Sequence, residues 1–210
     1  MTEIILARHG ETEWNVAEIF RGRGDIELNA TGSKQAALLA EYLRDTKIEA
    51  IYSSPLKRAL KTAEIIGGHH RLAVAIAPGL IDFDYGQWQG LTQQQVQARY
   101  KELYEQWLNH PEKVKTPDGE SLQDARKRAV SVVSDVIARH KGTVVLVSHR
   151  VVNKVLICAL LGLDDSHFWN IRQDMCGTTT FIYEDGRFVL TEHNNTAYLQ
   201  PLKQAPLGDF

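Results

Sequence analysis

The chain has 210 residues and a formal net charge of -2, with 43% hydrophobic and 24% charged residues. That is a soluble, globular composition, long enough for one ordinary hydrophobic core. It gives no bulk reason to expect nucleic acid or an anionic membrane as a partner, and no apolar run approaches the roughly 18 residues of a membrane span.

The first stretch, Ile4-Ile5-Leu6-Ala7, is short, apolar and partly β-branched, and it predicts a buried strand that stops at Arg8-His9-Gly10. Glu13 to Ala17 allows a helical turn, and Ile19 to Asp25 forms a glycine-punctuated loop carrying Arg21 and Arg23. Thr31 is the expected cap of an amphipathic helix from Ser33 to Arg44. A second strand, Ile48 to Tyr52, ends at Ser53-Ser54-Pro55, and Pro55 suits the start of the next helix, which carries Arg58. Val74 to Ala77 is a candidate third strand. Thr92 caps a helix through Ala98, continued from Arg99 to Leu108 with Tyr100, Leu103, Tyr104, Trp107 and Leu108 on one face. Ser121, with Asp124 in the first turn, opens a long helix to about His140.

Thr143 to Val147 is the most β-branched run, which predicts a central parallel strand buried on both faces. It ends at Ser148-His149-Arg150, and a helix follows from Val151 to Leu161, with Cys158 on its apolar pattern. Thr178 to Tyr183 and Arg187 to Asn194 flank Glu184-Asp185-Gly186 as a hairpin. Strands alternating with helices define an α/β class: a three-layer sandwich, mainly parallel, with helices on both faces. The whole chain, 1–210, reads as one domain with a loosely packed tail from about 197. The two cysteines, Cys158 and Cys176, lack metal-ligand spacing, which fits a reducing compartment; no signal peptide is expected, and the expected location is cytoplasmic.

Polar residues collect at the strand ends, where open α/β sheets place ligand crevices. Arg8 and Arg58 offer planar forks for phosphate or carboxylate oxygens, and His9 offers a nucleophile that is neutral near pH 7. Two guanidinium forks with a donor on His149 can neutralise the peripheral oxygens of a phosphoryl group without a metal. No zinc-type His pair with a partner acid occurs, so neither metal nor other cofactor is expected. The remaining histidines, His69, His70, His110, His140, His167 and His193, sit in predicted loops or on polar faces and read as structural.

Four stretches resemble the histidine phosphatase superfamily, also called the phosphoglycerate mutase-like family. They are Leu6-Ala7-Arg8-His9-Gly10-Glu11-Thr12 with Trp14-Asn15; Ser53-Ser54-Pro55-Leu56-Lys57-Arg58-Ala59 with Thr62-Ala63; Asp82 before Gly86-Gln87-Trp88-Gln89-Gly90; and Ser148-His149. Gly119-Glu120-Ser121-Leu122 resembles a further element that borders the pocket. The resemblance implies His9 as nucleophile, Arg8, Arg58 and His149 around the phosphoryl group, and Asn15, Arg21 and Gly22 near the substrate. The family's acid is usually glutamate; here position favours Asp82, with Asp84 as its rival. A small residue usually follows the second histidine. Arg150 stands there instead, adding charge to the pocket for substrate binding or pointing to solvent, with Lys154 one helical turn on facing the same end.

Mutases of the family carry a covering insertion after the acid stretch, and this chain shows none that is large. The expectation is therefore a metal-independent phosphomonoester hydrolase acting through phosphohistidine on a small anionic ester, such as phosphoserine or a phosphorylated acid or sugar. A phosphoglycerate mutase is the first alternative, and a non-catalytic phosphate-binding scaffold the second. The implied partner is the small ester alone, and a homodimer through a sheet edge or the tail is compatible with it.

Overall fold

The computed structural model describes residues 1–202. In chain order the elements are β1 (Thr2–Arg8), α1 (Glu13–Val16), α2 (Ala30–Tyr42), β2 (Ile48–Ser53), α3 (Lys57–His70), β3 (Val74–Ile76), α4 (Gln93–Arg99), α5 (Lys101–Asn109), α6 (Leu122–Arg139), β4 (Thr143–Ser148), α7 (Arg150–Leu160), β5 (Thr178–Glu184) and β6 (Arg187–Asn195), joined by short 3-10 turns. Six strands form one sheet in the order β3-β2-β4-β1-β5-β6. The four on the β3 side run parallel, and the β5–β6 hairpin adds antiparallel strands beside β1. That is the expected three-layer α/β architecture.

Because strand side chains alternate between faces, β1 and β4 each feed two cores. Ile4, Leu6, Val144 and Leu146 pack with Ala129, Val133 and Val136 of α6 and Val152 and Leu156 of α7. Ile5, Ala7, Val145 and Val147 point the other way, onto Ala36, Leu39 and Ala40 of α2 and Ala59, Ala63 and Ile66 of α3. A strand buried on both sides can be apolar at every position, which is why Thr143 to Val147 reads as a continuous run. A third cluster joins Phe20, Phe83, Tyr85, Trp88, Tyr104 and Trp107 above the sheet's C-terminal edge. The hairpin turns through Asp185 and Gly186 at φ 49° and 77°, a pair of left-handed residues that matches the strands' twist.

Several boundaries differ from expectation. Asn29, not Thr31, caps α2: its side chain accepts from Gly32 N at 2.8 Å while its amide donates to Glu11 at 2.8 Å, so a contact with the first turn fixes where the helix starts. Pro55 lies two residues before α3, whose first amide, that of Lys57, is taken by the Asp25 carboxylate at 2.8 Å. The helix expected through Leu108 breaks at Tyr100, φ -130°, and Leu108 is left exposed while Tyr104 and Trp107 are buried. The start of the tail is packed. Ala197–Leu202 forms a 3-10 turn, Tyr198 stacks on Tyr42 at 4.5 Å, and its hydroxyl donates to the Cys176 carbonyl. The rest of the expected tail lies outside the described residues. Among the described residues no helix is long and apolar enough to cross a membrane.

The strand ends are tied to each other by backbone bonds: His9 N to Ser148 O at 3.0 Å and Ser54 N to Val147 O at 3.0 Å. Gly10 and Gly32 pack backbone to backbone, so a Cβ on Gly32 would overlap Glu11 main-chain atoms. Gly32→Ala is expected to lower unfolding stability by about 2–3 kcal/mol in chemical denaturation, because the contact atoms are backbone and cannot swing aside. A change within 0.5 kcal/mol would show that the turn carrying His9 is not wedged against α2.

Candidate active site

The β1 and β4 C-terminal ends place His9 and His149 side by side, with ring centroids 5.1 Å apart. Around them sit Arg8, Arg21, Arg58, Asp82 and Arg150, all buried and none more than 7% exposed. His9, Ile19, Phe20, Arg21, Asp82, Tyr85, Arg150 and Val151 line a small, narrow cavity.

His9 Nδ1 lies 2.6 Å from the Gly10 carbonyl. A carbonyl can only accept, so Nδ1 carries the proton and Nε2 holds the lone pair in the neutral ring. Burial, then the charges of Arg58, His149 and Arg8, hold His9 well below the usual imidazole pKa. His149 is depressed likewise, by burial and then by Arg58. Its Nε2 lies 2.8 Å from Ser54 Oγ, a hydroxyl that can donate to the ring while it accepts from Leu56 N. The other nitrogen, Nδ1, is buried, lies 3.5 Å from Asp82 Oδ2, a neighbour that favours a proton there, and makes no hydrogen bond. A buried donor in that state is costly unless a ligand oxygen completes it.

Arg58 ties three segments together. Its guanidinium donates to Gly24 O at 2.7 Å, Gly22 O at 2.8 Å and Asp82 Oδ2 at 2.9 Å. Asp82 Oδ1 accepts from Phe83 N at 2.8 Å. Asp84 faces away, bonded to Gly86 N and paired with Arg23 at 3.1 Å, so the structure puts Asp82 and not its rival at the cavity. Arg8 donates to Gln173 O at 2.6 Å. Arg21 donates to the Trp14 and Ile19 carbonyls. Its pKa is lowered to about 9 by burial and then by Arg8 and Arg150.

Arg150 lines the cavity instead of pointing to solvent. Lys154 does not share that position: it is fully buried with its ammonium over the Phe168 and Trp169 rings, at 5.0 and 4.8 Å. Asn15 does not line the cavity; its side-chain oxygen closes the Thr12 capping box of α1. Gly22 contributes the carbonyl that Arg58 holds. Glu120 does not border the cavity either. It grips Arg128 and Arg23 at 2.9 Å and accepts from Asp84 N at 3.0 Å, while Ser121 caps α6.

Sequence reasoning passed over Arg128. From α6 it donates to the carbonyls of Gly79, Ile81 and Asp82, at 2.8, 2.5 and 3.1 Å, and so pins the turn that presents the acid. Thr62 was quoted only within a motif; it accepts from Gly10 N at 3.2 Å and donates to Arg58 O at 2.8 Å, linking the first two stretches. Among the described residues no group of three or more His, Cys, Asp or Glu is placed to hold a metal ion.

The arrangement gathers buried guanidinium groups beside an imidazole whose pKa is held down. Residues 4–196 match the histidine phosphatase superfamily (branch 1). Phosphoserine phosphatase 1 of Hydrogenobacter thermophilus is 38% identical over 200 residues, 95% of each chain. The structure of Bacillus stearothermophilus YhfR superposes with a TM-score of 0.91 at 28% identity, covering 95% of this chain and all of that one. A phosphoserine phosphatase from Entamoeba histolytica, solved with 3-phosphoglyceric acid, gives 0.83 at 33% identity, again over 95% of this chain and all of its own. The chain belongs to the histidine phosphatase superfamily, branch 1, and it is a phosphatase.

Arg128→Ala is expected to lower kcat roughly 10- to 100-fold, by letting the acid drift from its working position. Added to Asp82→Asn it should cost little more, because both act on one group. Full additivity of the two losses would contradict this role.

Proposed function

We propose that the chain is a metal-independent phosphomonoester hydrolase that works through a phosphohistidine on His9, with a small phosphate ester such as phosphoserine or a phosphorylated acid or sugar as substrate. The observation that carries this reading is the His9 tautomer: Nδ1 is fixed by the Gly10 carbonyl, leaving Nε2 as a neutral nucleophile inside a cationic pocket. The curated relative named a phosphoserine phosphatase and the one solved with 3-phosphoglyceric acid support a small ester of this kind.

In this mechanism Arg8, Arg58 and the His149 Nδ1–H hold the peripheral oxygens of the phosphoryl group, supplying the charge compensation the transition state needs. His9 Nε2 attacks phosphorus in line, and the bond to the ester oxygen breaks. As the phosphoryl group takes over the Arg58 guanidinium, Asp82 is released from that pairing, carries a proton in and passes it to the leaving alcohol. Water then attacks the phosphohistidine, Asp82 takes a proton from it, the N–P bond breaks, and inorganic phosphate leaves with His9 restored.

Incubation with 32P-labelled phosphoserine followed by an alkaline quench should leave base-stable, acid-labile label on His9. His9→Ala should lose both the label and turnover, the latter by about 10⁴-fold or more. Retained turnover in that variant, or label on another residue, would remove His9 from the role. Release of free phosphate, against transfer between phosphoglycerate isomers, separates hydrolysis from mutase activity.

A further inference from the structure

We propose that Arg150, held by Tyr85, is the residue that selects the substrate, and that it selects a short phosphate ester bearing a carboxylate over a sugar phosphate. This rests on the phosphatase reading above and narrows its substrate class. Arg150 is the first residue of α7, directly after His149, and is only 6% exposed. Its guanidinium lines the same small cavity as His9. The Tyr85 hydroxyl accepts a hydrogen bond from it, and burial pushes that hydroxyl's pKa up, so Tyr85 stays an uncharged partner. Tyr85 is itself fixed edge-on against Phe20 and Phe83, each with centroids 4.9 Å away.

The cavity wall decides the class. Its charged members are Arg21, Arg150 and Asp82, and both Asp82 oxygens already accept, from Arg58 and Phe83 N. Arg21 is turned toward the Trp14 and Ile19 carbonyls. The other wall residues besides His9 and Tyr85 are Ile19, Phe20 and Val151, which offer no side-chain hydrogen bond. A sugar ring needs several donors and acceptors for its hydroxyls, and here the one neutral polar side chain of the wall besides His9, Tyr85, is engaged with Arg150. A phosphoryl group at His9 and a carboxylate on the Arg150 fork match the charged members of this wall, with its apolar residues between them.

The test compares 3-phosphoglycerate with glycerol 3-phosphate, which differ only by a carboxylate against a hydroxymethyl group, and adds glucose 6-phosphate. The protein as it stands should favour 3-phosphoglycerate over both by about 100-fold in kcat/KM. Arg150→Gln should collapse the ratio between the first pair to within about five-fold, mainly through KM. Tyr85→Phe keeps the aromatic packing and should lower the same ratio several-fold. The pair is also titrated calorimetrically into His9→Asn, where no turnover is needed, and the same preference should appear in Kd. If no ester is hydrolysed yet that preference holds, the catalytic reading fails and this inference stands. Equal handling of the pair in both assays would overturn it. So would a preference for glucose 6-phosphate, or an Arg150→Gln loss falling equally on all three esters.

Discussion

The structure turns on the buried Arg58 guanidinium. Its side chain is fully excluded from solvent, yet it meets two carbonyls of the loop after Phe20 and the carboxylate of Asp82. A charge in that position needs hydrogen-bond acceptors and a close counter-charge, and both terminal nitrogens find them while Nε has no partner. The segments that satisfy it are therefore held where they are: α3 by the side chain itself, the Gly22–Gly24 loop by its carbonyls, and the acid turn by its carboxylate. Removing one partner of such a pair costs about 3–5 kcal/mol, because the other is left charged and dry.

The electrostatics follow from that burial. Four guanidinium groups, Arg8, Arg21, Arg58 and Arg150, are gathered into a region where the two imidazoles are also buried. Burial first, and then the neighbouring cations, disfavour positive charge here, so both histidines are driven toward the neutral form and Arg21 itself is weakened to about 9. The same field that would draw in a phosphate dianion keeps the His9 lone pair unprotonated. The positive charges outside this set are neutralised separately. Arg128 and Arg23 share Glu120, and Arg23 also meets Asp84.

Much of this was legible because strand ends are abrupt in sequence. Ile4 to Ala7 stopping at Arg8-His9 and Thr143 to Val147 stopping at Ser148-His149 already placed both histidines on one edge of a parallel sheet. The position of Asp82 relative to Gly86-Gln87-Trp88 singled out the carboxylate that lines the cavity, though nothing local told it from Asp84. That distinction is made by Arg58 and Arg23, which arrive from other segments. Lys154 has the spacing to face the cavity, but the Phe168 and Trp169 rings capture it. Arg128 was passed over because its helix has an ordinary amphipathic pattern, in which an arginine reads as solvated. Its partners, the carbonyls of Gly79, Ile81 and Asp82, lie in a turn more than 40 residues earlier. Asn29 displaced Thr31 as a cap for the same reason, a tertiary bond to Glu11. Local pattern reports faces and ends; it does not report which distant group will claim a side chain.

The central claim is that His9 is a neutral imidazole with its proton on Nδ1 and its lone pair on Nε2. The 15N NMR signals of His9 against pH test it most directly. A free imidazole protonates as pH falls through about 6.5, whereas a pKa lowered by burial leaves the ring neutral through that range. The account predicts a proton-bearing Nδ1 and a pyridine-like Nε2 that stay unchanged as pH falls from about 8 through the usual imidazole range. A proton on Nε2, or titration centred near 6.5, would contradict it.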